Sequence, residues 1–137
     1  MRYLGLDLGS KTLGLSISDA NAIVASSLDV IRYTNYEELI EKLSQIINVK
    51  KVDKLVLGYP LNMTGTTSIR SEETLKFKEL IEKQLNIEVI MQDERLSTVE
   101  AEKILINAGT RREKRKEVID KLAATIILQT YLDRKDK

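Results

Sequence analysis

The chain has 137 residues, with 22 Lys and Arg against 21 Asp and Glu, and contains no His, Cys or Trp. Without imidazole or thiol there is no Ser-His-Asp triad, no Cys nucleophile, no zinc finger and no disulfide framework, so any metal is a hard ion on oxygen ligands, Mg²⁺ or Mn²⁺ before zinc. The near-neutral charge gives no global pull toward nucleic acid, and no stretch approaches the ~20 apolar residues of a membrane span, so a soluble, cytoplasmic protein with no membrane partner is expected.

Residues 2–8 (RYLGLDL) and 12–18 (TLGLSIS) read as two short strands joined by Gly9-Ser10-Lys11, a link of hairpin length. Residues 23–33 add a third strand, with Asp19 to Ala22 as the turn. From Asn35 the apolar residues Leu39, Ile40, Leu43, Ile46 and Ile47 fall at helical spacing, and Thr34 with Glu37 has the form of a capping box. Residues 54–60 (KLVLGYP) are a continuous apolar run of the kind buried on both faces of a sheet, followed by a loop over 62–68 and a helix over 69–85. A strand over 87–91 ends in Gln92-Asp93-Glu94-Arg95. Ser97 and Glu100 then suggest a capped helix that buries Ala101, Ile104, Leu105 and Ala108 and stops at Gly109. The basic segment 109–116 separates it from a last helix marked by Ile119, Leu122, Ala123, Ile126, Ile127 and Thr130. No repeat or linker interrupts the chain, which reads as one α/β domain over 1–137. Antiparallel strands lead into parallel βαβ units, giving a mixed five-stranded sheet with helices on both faces and ligands at the carboxyl ends of its strands.

Three acidic positions stand where an apolar element would not choose them. Asp7 interrupts Leu4-Gly5-Leu6-Asp7-Leu8, where an ionised carboxylate near a core needs a partner or a turn to cap. Asp93 and Glu94 stand at a strand end, where one of the two is expected to cap the next helix, and Arg95 is either a partner to one carboxylate or a phosphate contact. Asp120 lies near the start of the apolar last helix, beside Ala123 and Ala124, whose small side chains let that helix approach the sheet; alone it reads as a first-turn acid paired with Lys116 or Lys121. Together, Asp7, Asp93, Glu94 and Asp120 form a candidate site for two divalent ions. Two such ions ~4 Å apart activate water and stabilise the leaving oxygen in phosphodiester hydrolysis, a chemistry that needs neither His nor Cys. The segment Gly109 to Lys116 carries five cations against one acid and would hold a phosphate backbone, unless it is only a solvated charge run. Lys11, Arg95, Arg111, Arg112, Lys114, Arg115 and Lys116 are the expected nucleic-acid contacts. Thr64-Gly65-Thr66-Thr67 lacks the Gly-Lys-Ser/Thr ending of a Walker loop.

The strings GLDLGSKTLGLSISD (5–19), LVLGYPLNMTGT (55–66), DERLST with the following Glu100-Ala101, and DKLAATIILQTYLD (120–133) resemble the YqgF/RuvX family of Holliday-junction-resolvase-like nucleases. The resemblance runs nearly the whole chain in the right order. It implies an RNase H-like fold and a metal-dependent nuclease site with Asp7, Glu94 and Asp120 as catalytic acids and Asp93 beside them. It also implies Mg²⁺ or Mn²⁺, and a bacterial cytoplasmic role in processing the 5′ end of precursor 16S rRNA. In RuvC-type enzymes the middle carboxylate comes from an earlier strand, whose counterpart here, Gly58-Tyr59-Pro60-Leu61-Asn62, offers none, so that place passes to the DER motif.

The leading expectation is therefore a nuclease on structured RNA. Cleavage of four-way DNA junctions is the nearest alternative. An actin- or sugar-kinase-type ATPase, suggested by Asp7-Leu8-Gly9, is opposed by a length sufficient for one lobe only. A non-catalytic adaptor for rRNA or a ribosome-assembly factor is the third class.

Overall fold

The computed structural model describes residues 1–61 and 68–135, and at 96 and 97 the backbone alone. Its elements are β1 (Tyr3–Leu8), β2 (Thr12–Ser18), β3 (Ala25–Arg32), α1 (Tyr36–Lys50), β4 (Lys54–Tyr59), α2 (Ile69–Leu85), β5 (Val89–Asp93), α3 (Glu94–Asn107), α4 (Arg112–Lys121) and α5 (Ala123–Arg134). The strands form one sheet in the order β3-β2-β1-β4-β5. The first three pair antiparallel, whereas β1 with β4 and β4 with β5 are parallel, as two βαβ crossovers require. The mixed five-stranded sheet expected from the sequence is present. Among the described residues no helix is long and apolar enough to cross a membrane.

Strand alternation sorts the side chains onto two faces. Leu4, Leu6 and Leu8 of β1 join Leu13, Leu15, Leu55 and Leu57 on one face, where Leu39 and Leu43 of α1 and Phe77 and Ile81 of α2 cover them. The other face holds Tyr3 and Val56 under Ile127, Leu128 and Leu132 of α5. On this face β1 carries Gly5, and α5 uses the space. A Cβ at Gly5 would stand 2.8 Å from Leu128 Cβ and 2.9 Å from the Ala124 carbonyl, and would strike Ser16 Oγ. The Ser16 hydroxyl donates to that same carbonyl at 2.6 Å, tying the first turn of α5 to β2. The expected close approach around Ala123 and Ala124 is thus realised through a glycine and a serine opposite them.

Several features differ from the sequence reading: β3 spans Ala25–Arg32 rather than 23–33, and Ile104 and Ala108, expected to be buried, are exposed. The N-cap of α1 is Asn35, whose side chain accepts from the Glu38 amide at 2.9 Å, while Thr34 donates to the Glu38 carboxylate. Strand β5 starts two residues later than the apolar run, because its ladder with β4 begins at Leu55 opposite Val89. Helix α3 begins at Glu94 with Asp93 as its cap, so Ser97 lies inside it rather than at its start. The basic segment is not a connection between helices but most of α4, and Asp120 belongs to the last turn of α4 rather than to the helix after it. Arg, Lys and Glu are good helix formers. No residue of α4 is buried, so it has no apolar stripe by which to announce itself. The single non-helical residue Leu122 separates α4 from α5. The loop expected over 62–68 falls outside the described residues except at Ser68, the N-cap of α2.

Candidate active site

Asp7 is the penultimate residue of β1 and belongs to the same face as Tyr3 and Gly5, beneath α5. Its cross-strand neighbour on β2 is Gly14, so no side chain stands over it from that direction. Glu94 starts two strands away, immediately after β5 and with no loop between. To meet Asp7 it must lie across β4, a lateral span of ~10 Å at the spacing of neighbouring strands. The residue of β4 beneath that path is Gly58. A Cβ there would come within 3.0 Å of Glu94 Cγ and 3.1 Å of its Cδ, and within 2.6 Å of Ile127 Cδ1. The glycine clears the path, and the long Glu side chain spans it.

The two carboxyl groups share a hydrogen bond. Two carboxylates can do so only when one holds a proton. Burial first, and then the adjacent charge of Asp7, push Glu94 up to about 7, while the Arg70 guanidinium pulls it back down. Near neutrality Glu94 is therefore still partly protonated, and an oxygen-seeking cation would displace that proton.

The neighbouring acid is occupied differently. Asp93 Oδ1 accepts from the Arg95 amide at 2.9 Å as the cap of α3 and from Arg95 Nε at 3.1 Å, while Oδ2 accepts from the same guanidinium at 3.0 Å from Nε and 2.6 Å from Nη2. That pairing holds the Asp93 carboxyl below the usual carboxylate range. Of the two alternatives for each residue, the structure gives Asp93 the cap and Arg95 the structural partnership.

Asp120 is exposed and lines, with Asp7, a cleft of about 550 Å³ bounded by the first turn of α5 and by Ser27 to Val30 of β3. Asp29 lines it too, although nothing in its β3 surroundings marks it out in the sequence. Among the described residues no three acids come close enough together to form a metal-holding group. The structure thus unites Asp7 with Glu94 and sets Asp120 on the wall of the same cleft.

The basic residues are divided by the helix. Arg112, Lys116 and Asp120 fall at intervals of four on one face of α4 and, with Thr98 and Glu102 of α3, line a groove of about 600 Å³. Lys114 faces elsewhere and pairs with Glu117 at 3.6 Å, and Arg115 turns back to the Thr110 carbonyl at 2.9 Å. Arg111 precedes the helix as its N-cap, and Lys11 is exposed in the β1–β2 turn.

A family model described as "RuvX: Holliday junction resolvase" matches residues 1–134. The chain belongs to the RuvX family. Relatives named "Putative pre-16S rRNA nuclease" include one from Geobacillus sp. (strain WCH70), 47% identical over 137 residues and covering 98% of this chain and 99% of its own. Another, from Clostridium kluyveri (strain ATCC 8527), is 46% identical over the whole of both chains. Among solved structures, Thermus thermophilus RuvC in complex with a Holliday junction aligns with a TM-score of 0.61 at 12% identity, covering 96% of this chain and 92% of that one. The Fowlpox virus resolvase bound to Holliday junction DNA aligns at 0.51 and 12% identity over the whole of both chains. At such identities the likeness is one of fold, and it places this RuvX chain in the RNase H-like class expected from its motifs.

Gly58→Ala tests how Glu94 reaches Asp7. The added methyl is expected to cost about 1 to 3 kcal/mol in a denaturant titration, the usual range for overpacking. It also moves Glu94 away from Asp7, so that the Glu94 carboxyl, followed by NMR, titrates nearer its ordinary value. A variant as stable as the parent, with Glu94 titrating as before, would show that β4 does not constrain the acid.

Proposed function

We propose that this RuvX chain is a divalent-metal-dependent nuclease that hydrolyses phosphodiester bonds of precursor 16S rRNA in the cytoplasm as a single domain spanning 1–137. The observation that carries this reading is the meeting of Glu94 with Asp7, which lines a cleft that Asp120 also lines. The names of relatives at about 46% identity over the full chain support the substrate.

The donor set fits a hard divalent cation. Two neighbouring carboxyl groups offer oxygen ligands, and the raised Glu94 carboxyl marks a place where a positive charge is wanted. Asp7 and Glu94 would hold the ion, with Asp120 the third candidate ligand. When bound, Mg²⁺ or Mn²⁺ supplies a water of lowered pKa and a charge opposite the phosphate oxygens. The chain's own residues do the rest. Arg112 and Lys116 bind backbone phosphates along the groove leading from Asp120, and the Asp93–Arg95 pair fixes the start of α3 so that Glu94 keeps its aim. The α5 turn tied to Ser16 walls the cleft above Asp7.

The test is incubation with precursor 16S RNA in Mn²⁺, Mg²⁺ or EDTA, with every cut mapped. Cleavage near the 5′ end of the mature sequence, present with either ion and absent in EDTA, is the expected result. A four-way DNA junction run in parallel addresses the family's resolvase description. Two symmetrical cuts in the junction and none in RNA would move the assignment to DNA, and symmetry of that kind calls for a dimer. Binding of RNA without cleavage under any ion would leave the role of an adaptor in ribosome assembly.

A further inference from the structure

A second recess opens at the same end of the sheet and shares only Gly9 with the cleft. Leu8, Gly9 and Ser10 at the end of β1 and Arg70, Glu73 and Thr74 in the first turns of α2 line a notch of about 290 Å³. Arg70 is exposed, and its Nη2 donates to the Leu8 carbonyl at 3.2 Å. Leu8 follows Asp7 in the strand, so this bond ties the guanidinium to the strand end that carries the candidate acid. It uses one of five N–H donors. Among the described residues no salt bridge joins Arg70 to a carboxylate.

The charged groups around the notch are few. Glu73 faces it from α2, and Lys11 follows Ser10 in the β1–β2 turn. A guanidinium tethered at one nitrogen, with no other hydrogen bond among the described residues and set beside Glu73, is poorly explained as a stability device. It suits a partner that offers two acceptor oxygens side by side, as the two non-bridging oxygens of a phosphate diester do.

Resting on the nuclease reading above, we propose that the Arg70 notch is a backbone-phosphate subsite. Arg70 binds a phosphate of the polynucleotide other than the one being cut and sets the register of the strand over Asp7 and Glu94. It is a positioning residue. Glu73 opposes the phosphate and keeps the subsite from holding free polyanion indiscriminately.

The experiment is equilibrium binding in EDTA across a salt series, with a 5′-extended precursor 16S RNA fragment in one arm and a four-way DNA junction in the other. It compares the parent with Arg70→Gln, Arg70→Lys, Glu73→Gln and Lys83→Gln, the last at the far end of α2. Arg70→Gln is expected to weaken binding about tenfold and to lower the salt slope by about one. Arg70→Lys keeps the slope but blurs the cut map in Mn²⁺, because the ammonium lacks the fork. Glu73→Gln binds more tightly than the parent, and Lys83→Gln matches it. The arm in which the slope falls identifies the polymer. An unchanged slope and affinity in Arg70→Gln with native circular dichroism overturns the subsite, even if the parent cleaves RNA. So does failure of Glu73→Gln to tighten binding. A slope that falls while the parent cleaves nothing upholds the subsite and sinks the nuclease reading alone.

Discussion

Asp7→Asn is expected to abolish metal-dependent cleavage while leaving RNA affinity in EDTA within about twofold of the parent. The loss should exceed about 100-fold, the upper end of what removal of merely supporting contacts costs at a metal site. Asn is close in shape to Asp and keeps a carbonyl acceptor toward Glu94, so the Gly14 opening and the packing of α5 have no reason to change. What disappears is an anionic oxygen that a cation would require. The same substitution removes the repulsion that helps keep Glu94 protonated, so in EDTA the variant should be no less stable than the parent and more stable at alkaline pH. A stability gain with a loss of activity separates a functional charge from a structural one. If Asp7→Asn cleaves as well as the parent at matched purity, the acid pair is not the catalytic centre. If it loses activity together with its fold, Asp7 is a turn-capping acid whose role is structural.

How far the sequence could be read follows from what each element shows locally. The strands were legible because alternation and apolar runs survive in one dimension: Leu4, Leu6 and Leu8 mark one face of β1 and leave Tyr3, Gly5 and Asp7 for the other. Helix α4 was illegible for the opposite reason, since none of its residues is buried and a stretch of Lys, Arg and Glu reads equally well as solvated chain. The start of β5 was misplaced because Ile87 packs against the core without belonging to the ladder, so apolar character and strand pairing part company there. The cap of α1 shifted by one residue because Thr34 and Asn35 are both suited to capping, and only the backbone decides between them.

The site divides along the same line. Asp7, Glu94 and Asp120 could be noticed as acids beside apolar elements, and motif resemblance named them. What the sequence left open was which of Asp93 and Glu94 turns inward. Position at the β5–α3 junction decides it: Asp93 has the cap to fill and Arg95 two residues on to hold, whereas Glu94 has the length to pass over Gly58. Arg70 was missed altogether. Its relation to Leu8 and Glu94 is purely spatial, across 62 residues of sequence in the first case, and the segment it opens reads as an ordinary helix start. A through-space relation of that kind leaves no periodic trace.

Glu94 also gives the fold a pH dependence whose sign is fixed by the direction of its shift. Its carboxyl ionises at about 7 in the folded chain against an ordinary value of 4.5, chiefly because burial disfavours the charge and secondarily because Asp7 is beside it. Between those two values the unfolded chain has already lost the proton and the folded chain has not, so stability in EDTA falls as pH rises through this window. After allowance for solvent around a partly exposed group, the loss is on the order of 2 kcal/mol, or roughly 7 °C in Tm for a domain of this size. Mn²⁺ should act in the opposite sense. It binds the deprotonated pair in the native state only, so it should raise Tm strongly near pH 8 and little near pH 5, where the proton competes. Glu94→Gln is expected to flatten the pH dependence in EDTA and to lose the Mn²⁺ stabilisation together. An Mn²⁺ effect that persists in Glu94→Gln would place the ion elsewhere. A flat profile in the parent would mean that the carboxyl of Glu94 is solvated and that its approach to Asp7 does not hold in solution.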